Sequence, residues 1–277
     1  MNKSLKLLGK TIIYIVLIFI TILCLLPLWW MIITALKAPA EVFSYPPKFW
    51  PSKIHWANFV TAWNMAPWGR YFFNTAFYTV CTVVGVIVTS VMSGYAFSKL
   101  KFKGRNLVFI SYIGTMMVPA QVTIIPVYMI LSQLHMIDTY AGLIIPGLAN
   151  AFGCFLMRQF IATIPTEFVE SALIDGAGHG KILISIITPL VTPAVAALGI
   201  FTFMGSWDNF FWPLVVTNSE KLRVLQVGLA SFQSQYGTAD WGAMMAAATF
   251  VSAPILILFF FAQKYFIEGI TMTGIKG

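Results

Sequence analysis

PTEFVESALIDGAGHGKILISIITP, residues 165–189, is a patterned polar island between two long apolar runs. Pro165 and Thr166 form a helix start, with Thr166 as the expected N-cap and Glu167 and Glu170 near the positive end of the helix dipole. Phe168, Val169, Ala172 and Leu173 then fall on one helical face. Asp175-Gly176 ends the helix, because glycine readily adopts the left-handed conformation just past a C-terminus. A second helical stretch, about His179 to Ile187, leads into the next apolar run, and Pro189 and Pro193 bend the junction. The result is an elbow with a short apolar face. Such a face fits the membrane surface, the protein's own helices, or a groove of another protein.

The rest of the chain is a membrane protein. Of its 277 residues 59% are hydrophobic and only 9% charged, against roughly 45–50% and about 25% in an ordinary soluble domain. A core of this size has no room for 24 Phe, 9 Trp and 10 Tyr, since much of any compact surface stays wet. Six runs approach the ~20 apolar residues that cross a bilayer: about Thr11 to Leu36, Tyr71 to Phe97, Asn106 to Ser132, Tyr140 to Phe160, Leu190 to Val216 and Ala243 to Phe266. The first is too long for the core of a signal peptide and reads as an anchor.

Net charge is +8. The basic residues sit mainly in short loops and act as topology signals rather than as a nucleic-acid surface. With both termini cytoplasmic, Lys99, Lys101, Lys103 and Arg105 share one inner loop with the elbow on the same side, and the excess of Lys and Arg is inside. The outer segment Lys37 to Arg70 carries Pro39, Pro46, Pro47 and Pro51 and should be extended or broken into short turns. Its Phe43, Tyr45, Phe49, Trp50, Trp56, Trp63 and Trp68 suit a headgroup belt or contact with an external partner.

Catalytic constellations are not evident. No GxxxxGK[ST] phosphate loop occurs, and Gly176, Gly178 and Gly180 follow no strand. His55, His135 and His179 are dispersed, Cys24, Cys81 and Cys154 lie in apolar stretches, and no metal site or cofactor is expected in this chain. Asp208 is the only acid within a predicted span and lies toward its outer end, which gives autonomous ion coupling little to work with. The energy source is therefore expected to be a partner.

Glu170-Ser171-Ala172, three residues, Gly176, nine residues, Ile186, one residue and Thr188-Pro189 together resemble the EAA loop of ATP-binding-cassette importer permeases. Ser171 and Thr188 depart from that pattern, while its spacing and its Glu, Ala, Gly, Ile and Pro positions hold. Further similarity lies in Met117-Val118-Pro119-Ala120-Gln121, in Trp207-Asp208-Asn209-Phe210-Phe211-Trp212-Pro213 and in Gln263-Lys264-Tyr265-Phe266-Ile267-Glu268-Gly269. The nearest resemblance is to the second membrane subunit of maltose-type carbohydrate importers. It implies an all-α fold with six transmembrane helices, the type I ABC importer permease fold, whose cytoplasmic coupling helix docks on an ATPase. It further implies a heterodimer with a second, homologous permease, two copies of a cytoplasmic ATPase that bind ATP and Mg, and an extracellular or periplasmic solute-binding protein. The setting is a bacterial or archaeal inner membrane. By this analogy Glu170, Ala172 and Gly176, flanked by Asp175, face the ATPase.

Polar groups within spans mark a path. Pro119 and Pro126 are expected to interrupt the third span around Gln121 and Thr123, and Asn150, Asp208 and Asn209 to converge there with Trp207 and Trp212. Amides for hydroxyls and indoles for apolar ring faces suit a sugar, while interfacial anchoring and helix-to-helix bonding are the commoner roles of such residues. The chain divides into an N-terminal helix and external loop (1–70), a transmembrane core (71–266) and a cytoplasmic tail (267–277). The tail is either frayed or, by the resemblance, a regulator of the ATPase. A mono- or oligosaccharide leads as solute, with a polyol or glycerol phosphate ester as the alternative within the family. A self-contained secondary transporter or channel is the reading from another class.

Overall fold

The computed structural model describes the backbone of residues 3–236 and 240–274, and side chains over 9–235 and 240–261. Three helices are long and apolar enough to cross a bilayer unbroken: α1 (Lys3–Ala35), α4 (Trp68–Lys99) and α15 (Trp241–Gly274). Between the first two lie short α2 (Pro39–Val42) and α3 (Ala57–Asn64). Three bent pairs also qualify by length and composition, which makes up to six spans among the described residues if each pair crosses once. They are α5 (Arg105–Gly114) with α6 (Ala120–Gln133), α7 (Tyr140–Ile144) with α8 (Ala151–Ala162), and the second half of the elbow with α12 (Thr192–Trp207).

Each bend has a local cause. Val118 is extended ahead of Pro119, which disfavours helical backbone in the residue before it, and the chain turns by 104° there. Pro126 lies inside α6 without breaking it, so only one of the two prolines expected to interrupt the third span does so. The α7–α8 pair turns by 44° and the elbow–α12 pair by 84°. The fifth apolar run is not one helix either. α12 ends at Trp207, α13 (Phe211–Val216) restarts beyond Asp208-Asn209, and α14 (Leu225–Tyr236) follows.

The chain folds as two compact units. In the first, residues 1–68 and 228–254, Asn58 is buried and its Nδ2 donates to the carbonyls of Ala35 and Lys37, both at 2.8 Å, which ties α3 to the end of α1. A Cβ on Gly242 would stand only 2.6 Å from the same amide nitrogen, so that α15 begins in close contact with α3. Phe43, Tyr45, Phe49, Trp50, Trp56 and Trp63 are exposed, whereas Trp68 is 1% exposed, donates from Nε1 to the Ala62 carbonyl at 2.7 Å and packs edge-on against Phe232 and Phe250. Trp68 thus belongs to the core and not to the belt, because it sits on the rigid start of α4 rather than in the proline-rich loop.

In the second unit, residues 69–227 and 255–277, the core is built on α4, α8, α12 and the elbow. Gly94 lets α4 approach α8 closely: a Cβ there would stand 2.7–2.9 Å from Met157 and the Arg158 amide. At the opposite end of α4, Asn74 Nδ2 donates to the carbonyls of Lys221 (2.9 Å) and Arg223 (2.8 Å), and Tyr140 donates to Asn74 Oδ1 at 2.6 Å. Asp138 Oδ1 accepts from the amides of Asn218 and Ser219, holding the same loop. Desolvation alone would raise its pKa, but the bonds from Ser219 and Asn218 outweigh it and hold the carboxyl below its ordinary value. The helical backbone of α15 continues through Gly274, into the segment read as a tail. The side chains of the Gln263–Gly269 stretch lie outside the described residues.

Candidate coupling elbow and membrane cavity

The elbow helix α9 is Glu167–Ile174. Thr166 precedes it in helical conformation and makes no side-chain cap; its carbonyl accepts from the amides of Val169 and Glu170 instead. The expected N-cap bond is absent, and the helical backbone of Thr166 lacks the extended geometry from which a capping side chain reaches the first-turn amides. At the other end Gly176 has φ +78°, the Ala177 amide donates to the Ala172 carbonyl at 2.9 Å and the Gly176 amide to the Leu173 carbonyl at 3.0 Å. This is a Schellman stop, in which a left-handed residue turns its own amide and the next one back onto two orphan carbonyls. The second arm is α10 (His179–Ile182), a π-turn at Leu183–Ile187 and α11 (Thr188–Leu190), which runs into the 84° bend.

Helical geometry divides the apolar face of α9 in two. Val169 and Ala172, three apart, are buried in one apolar cluster with Tyr95, Leu156, Ile161 and Ile182. Phe168, Leu173 and Ile174 are exposed, Ile174 at 86%, as is Ile184 on the second arm. The inner face therefore packs on the protein's own helices, and a separate apolar set points outward, bordered by exposed Glu167, Glu170 and Asp175. Ala172, expected at a docking surface, is only 7% exposed and faces inward, a correction that follows from its sharing the stripe of Val169. A Cβ on Gly176 would meet nothing within 4 Å.

Side-chain bonds hold the elbow to α4 on both sides. Tyr95 Oη lies 2.8 Å from His179 Nδ1 after the turn, and Lys99 Nζ donates to the Ile164 carbonyl before α9. Arg158, over the Phe109 ring at 4.1 Å, donates to the Phe97 carbonyl at 3.3 Å. In the sequence Lys99 reads only as a topology signal and His179 only as a dispersed histidine; neither marks a bond between α4 and the elbow, since the bonds join positions 61–84 residues apart.

A cavity of about 360 Å³ lies at the opposite part of α4, lined by Tyr78, Gln121, Thr123, Leu143, Asn209 and Trp212 among others. Asn209 Nδ2 donates to Tyr78 Oη at 3.3 Å, and Trp212 Nε1 to the Leu143 carbonyl at 3.1 Å. Gln121, Asn209 and Trp212 thus line one cavity, and three of the residues expected beside them do not. Asn150 caps α8, accepting from the Gly153 amide at 2.7 Å, and lines a different cavity with Thr89, Ser93 and Tyr112. Trp207 is 5% exposed and stacked on Phe203, because the last turn of α12 points it into the bundle. Asp208 is absent from the lining and accepts from Gln226 Nε2 at 3.1 Å. Tyr78 was missed; a tyrosine in an apolar span was its signal, since a buried phenol seeks a hydrogen-bond partner.

Comparison with known proteins follows the same lines. The family described as binding-protein-dependent transport system inner membrane component matches residues 83–271. The arabinooligosaccharides transport system permease protein AraQ of Bacillus subtilis (strain 168) is 33% identical over 261 residues, 93% of this chain and 92% of that protein. The sn-glycerol-3-phosphate transport system permease protein UgpE of Yersinia enterocolitica is 33% identical over 264 residues, 93% of this chain and 94% of its own length. A chain in the crystal structure of a bacterial ABC transporter involved in the import of the acidic polysaccharide alginate superimposes with a TM-score of 0.83 and 27% identity, covering 96% of this chain and 99% of that one.

Proposed function

We infer, since this chain belongs to the family of inner-membrane components of binding-protein-dependent transport systems, that it is one permease subunit of an ATP-driven sugar importer. The elbow carries the reading: a short helix fixed by a Schellman stop, packed on one face and presenting Phe168, Leu173 and Ile174 outward, has the shape of a part that seats in another protein. In this reading both termini and the elbow are cytoplasmic, and the outward face meets one of two ATPase copies. Glu170, Asp175 and Gly176 border the contact, and Ala172 supports the helix from beneath. ATP and Mg belong to the ATPases, so this chain contributes displacement and no catalytic group. A homologous second permease completes the membrane heterodimer, and an external solute-binding protein delivers the cargo.

The cavity around Gln121, Asn209 and Trp212 supplies this subunit's share of the path. None of the described residues lining it is charged, which suits a neutral mono- or oligosaccharide better than a glycerol phosphate ester, because an unpaired anion at membrane depth is costly.

The test is to extract a tagged copy gently from native membranes and identify what copurifies by mass spectrometry. Two ATPase copies and a related permease are expected, with uptake that fails when ATP is depleted while the proton gradient is kept. A homo-oligomer without an ATPase, taking up solute on the proton gradient alone, would replace this reading with a secondary transporter or channel.

A further inference from the structure

We propose that α4, and not the span that follows the elbow in sequence, is the lever that carries elbow displacement to the cavity, with Tyr95 and His179 as the positioning pair that joins them. This rests on the elbow being the ATPase contact, as inferred above.

The obvious route from the elbow runs along the chain into α12. That route is mechanically poor: it passes a π-turn at Leu183–Ile187 and an 84° bend before α12 begins, and bends at irregular backbone are where displacement is absorbed. The route through α4 has no such joint. α4 is helical without interruption from Trp68 to Lys99. At one end it holds the elbow at two places on either side of α9, Lys99 to the Ile164 carbonyl and Tyr95 to His179, and Val169, Ala172 and Ile182 of the elbow share one buried apolar cluster with Val86, Val91 and Tyr95 of α4. Tyr95 is 3% exposed, so its hydroxyl has few alternatives to His179, whose ring lies on the exposed second arm. Gly94, beside Tyr95, sets α4 against the α8 backbone and provides a fulcrum.

Seventeen residues away, about 25 Å along the helix, Tyr78 of the same α4 lines the cavity and accepts from Asn209. One turn beyond, Asn74 holds the carbonyls of Lys221 and Arg223 and the hydroxyl of Tyr140. A shift of α4 driven at Tyr95 therefore moves a cavity wall and its loop together. Coupling across such a distance needs an element that both sites bias, and α4 is in bonded contact with both.

The test uses the intact importer, with second permease, ATPases and solute-binding protein, reconstituted in proteoliposomes. Uptake and ATP hydrolysis are measured together for Tyr95→Phe, His179→Ala and the double variant, with copurified ATPase as the measure of assembly. Expected is normal assembly and binding-protein-stimulated hydrolysis, with uptake per ATP lowered roughly five-fold or more in either single variant and no further in the double. Partial recovery in His179→Gln, whose amide can accept from Tyr95, is also expected. Should Tyr95→Phe assemble poorly, His179→Ala, changed only at an exposed ring, decides. Gly176→Leu serves as the control for the elbow itself. If it lowers uptake per ATP while the Tyr95 and His179 variants leave that ratio unchanged, the elbow stands and the α4 lever is overturned. If none of the variants changes it, the elbow reading fails first. Additive loss in the double variant also overturns the pair.

Discussion

Substitution of Gly176 separates a backbone role from a contact role. The residue has φ +78°, and an L-residue in the left-handed region costs about 1–2 kcal/mol. That shifts the balance between formed and unformed turn by roughly 5–30-fold. A Cβ at this position meets nothing within 4 Å, so in the subunit alone a large side chain is no worse than a small one. Gly176→Ala and Gly176→Leu should then lose similar amounts of stability, and Gly176→Asn less, since asparagine tolerates this conformation. With an ATPase seated over the turn the series changes: Leu should fall well below Ala in ATP-dependent uptake, because only its side chain reaches the partner. The assay is uptake and ATP hydrolysis in proteoliposomes at matched protein content, with thermal melting of each variant alongside. Wild-type uptake by Gly176→Leu would refute the contact, and equal loss in Ala and Leu would reduce Gly176 to a helix stop.

Gly94→Ala pushes a methyl to 2.7–2.9 Å from Met157 and the Arg158 amide and should destabilise the protein by about 1–3 kcal/mol, read as a lower melting temperature in detergent; an unchanged Tm would show that α4 and α8 separate freely. Glu41 accepts from Lys48 Nζ and from the Ser52 amide, which hold its pKa at about 2. Its contribution to the loop between α2 and α3 is therefore complete above its usual pKa of about 4.5 and is lost as pH falls toward about 2. Tryptophan emission near Trp50 should follow that acid transition, and E41Q should lack it; an identical transition in E41Q would remove Glu41 as the cause. Gln121→Ala and Trp212→Phe should raise the KM of sugar uptake without changing basal ATP hydrolysis, whereas an unchanged KM in both would detach the cavity from the path.

The sequence read most clearly where the determinant is local. Composition and run length set the membrane class and six spans, and Asp175-Gly176 marked a helix stop that two backbone bonds complete. Reading failed where equivalent local signals have different surroundings. Pro119 breaks its span and Pro126 does not, and Trp68 is buried while Trp50 is exposed. Asn150 caps a helix while Asn209 faces the cavity.

By itself, then, the sequence determined that this chain lives in a bilayer, that it folds as helices and that a patterned polar elbow ends at Gly176, because hydrocarbon length, helical periodicity and glycine's dihedral freedom act within a few turns of chain. Only the tertiary structure decided which half of the α9 face points outward, which polar residues share one cavity, and that the elbow is bonded to α4. Those follow from contacts between residues 61–149 positions apart, whose pairing depends on how the helices cross.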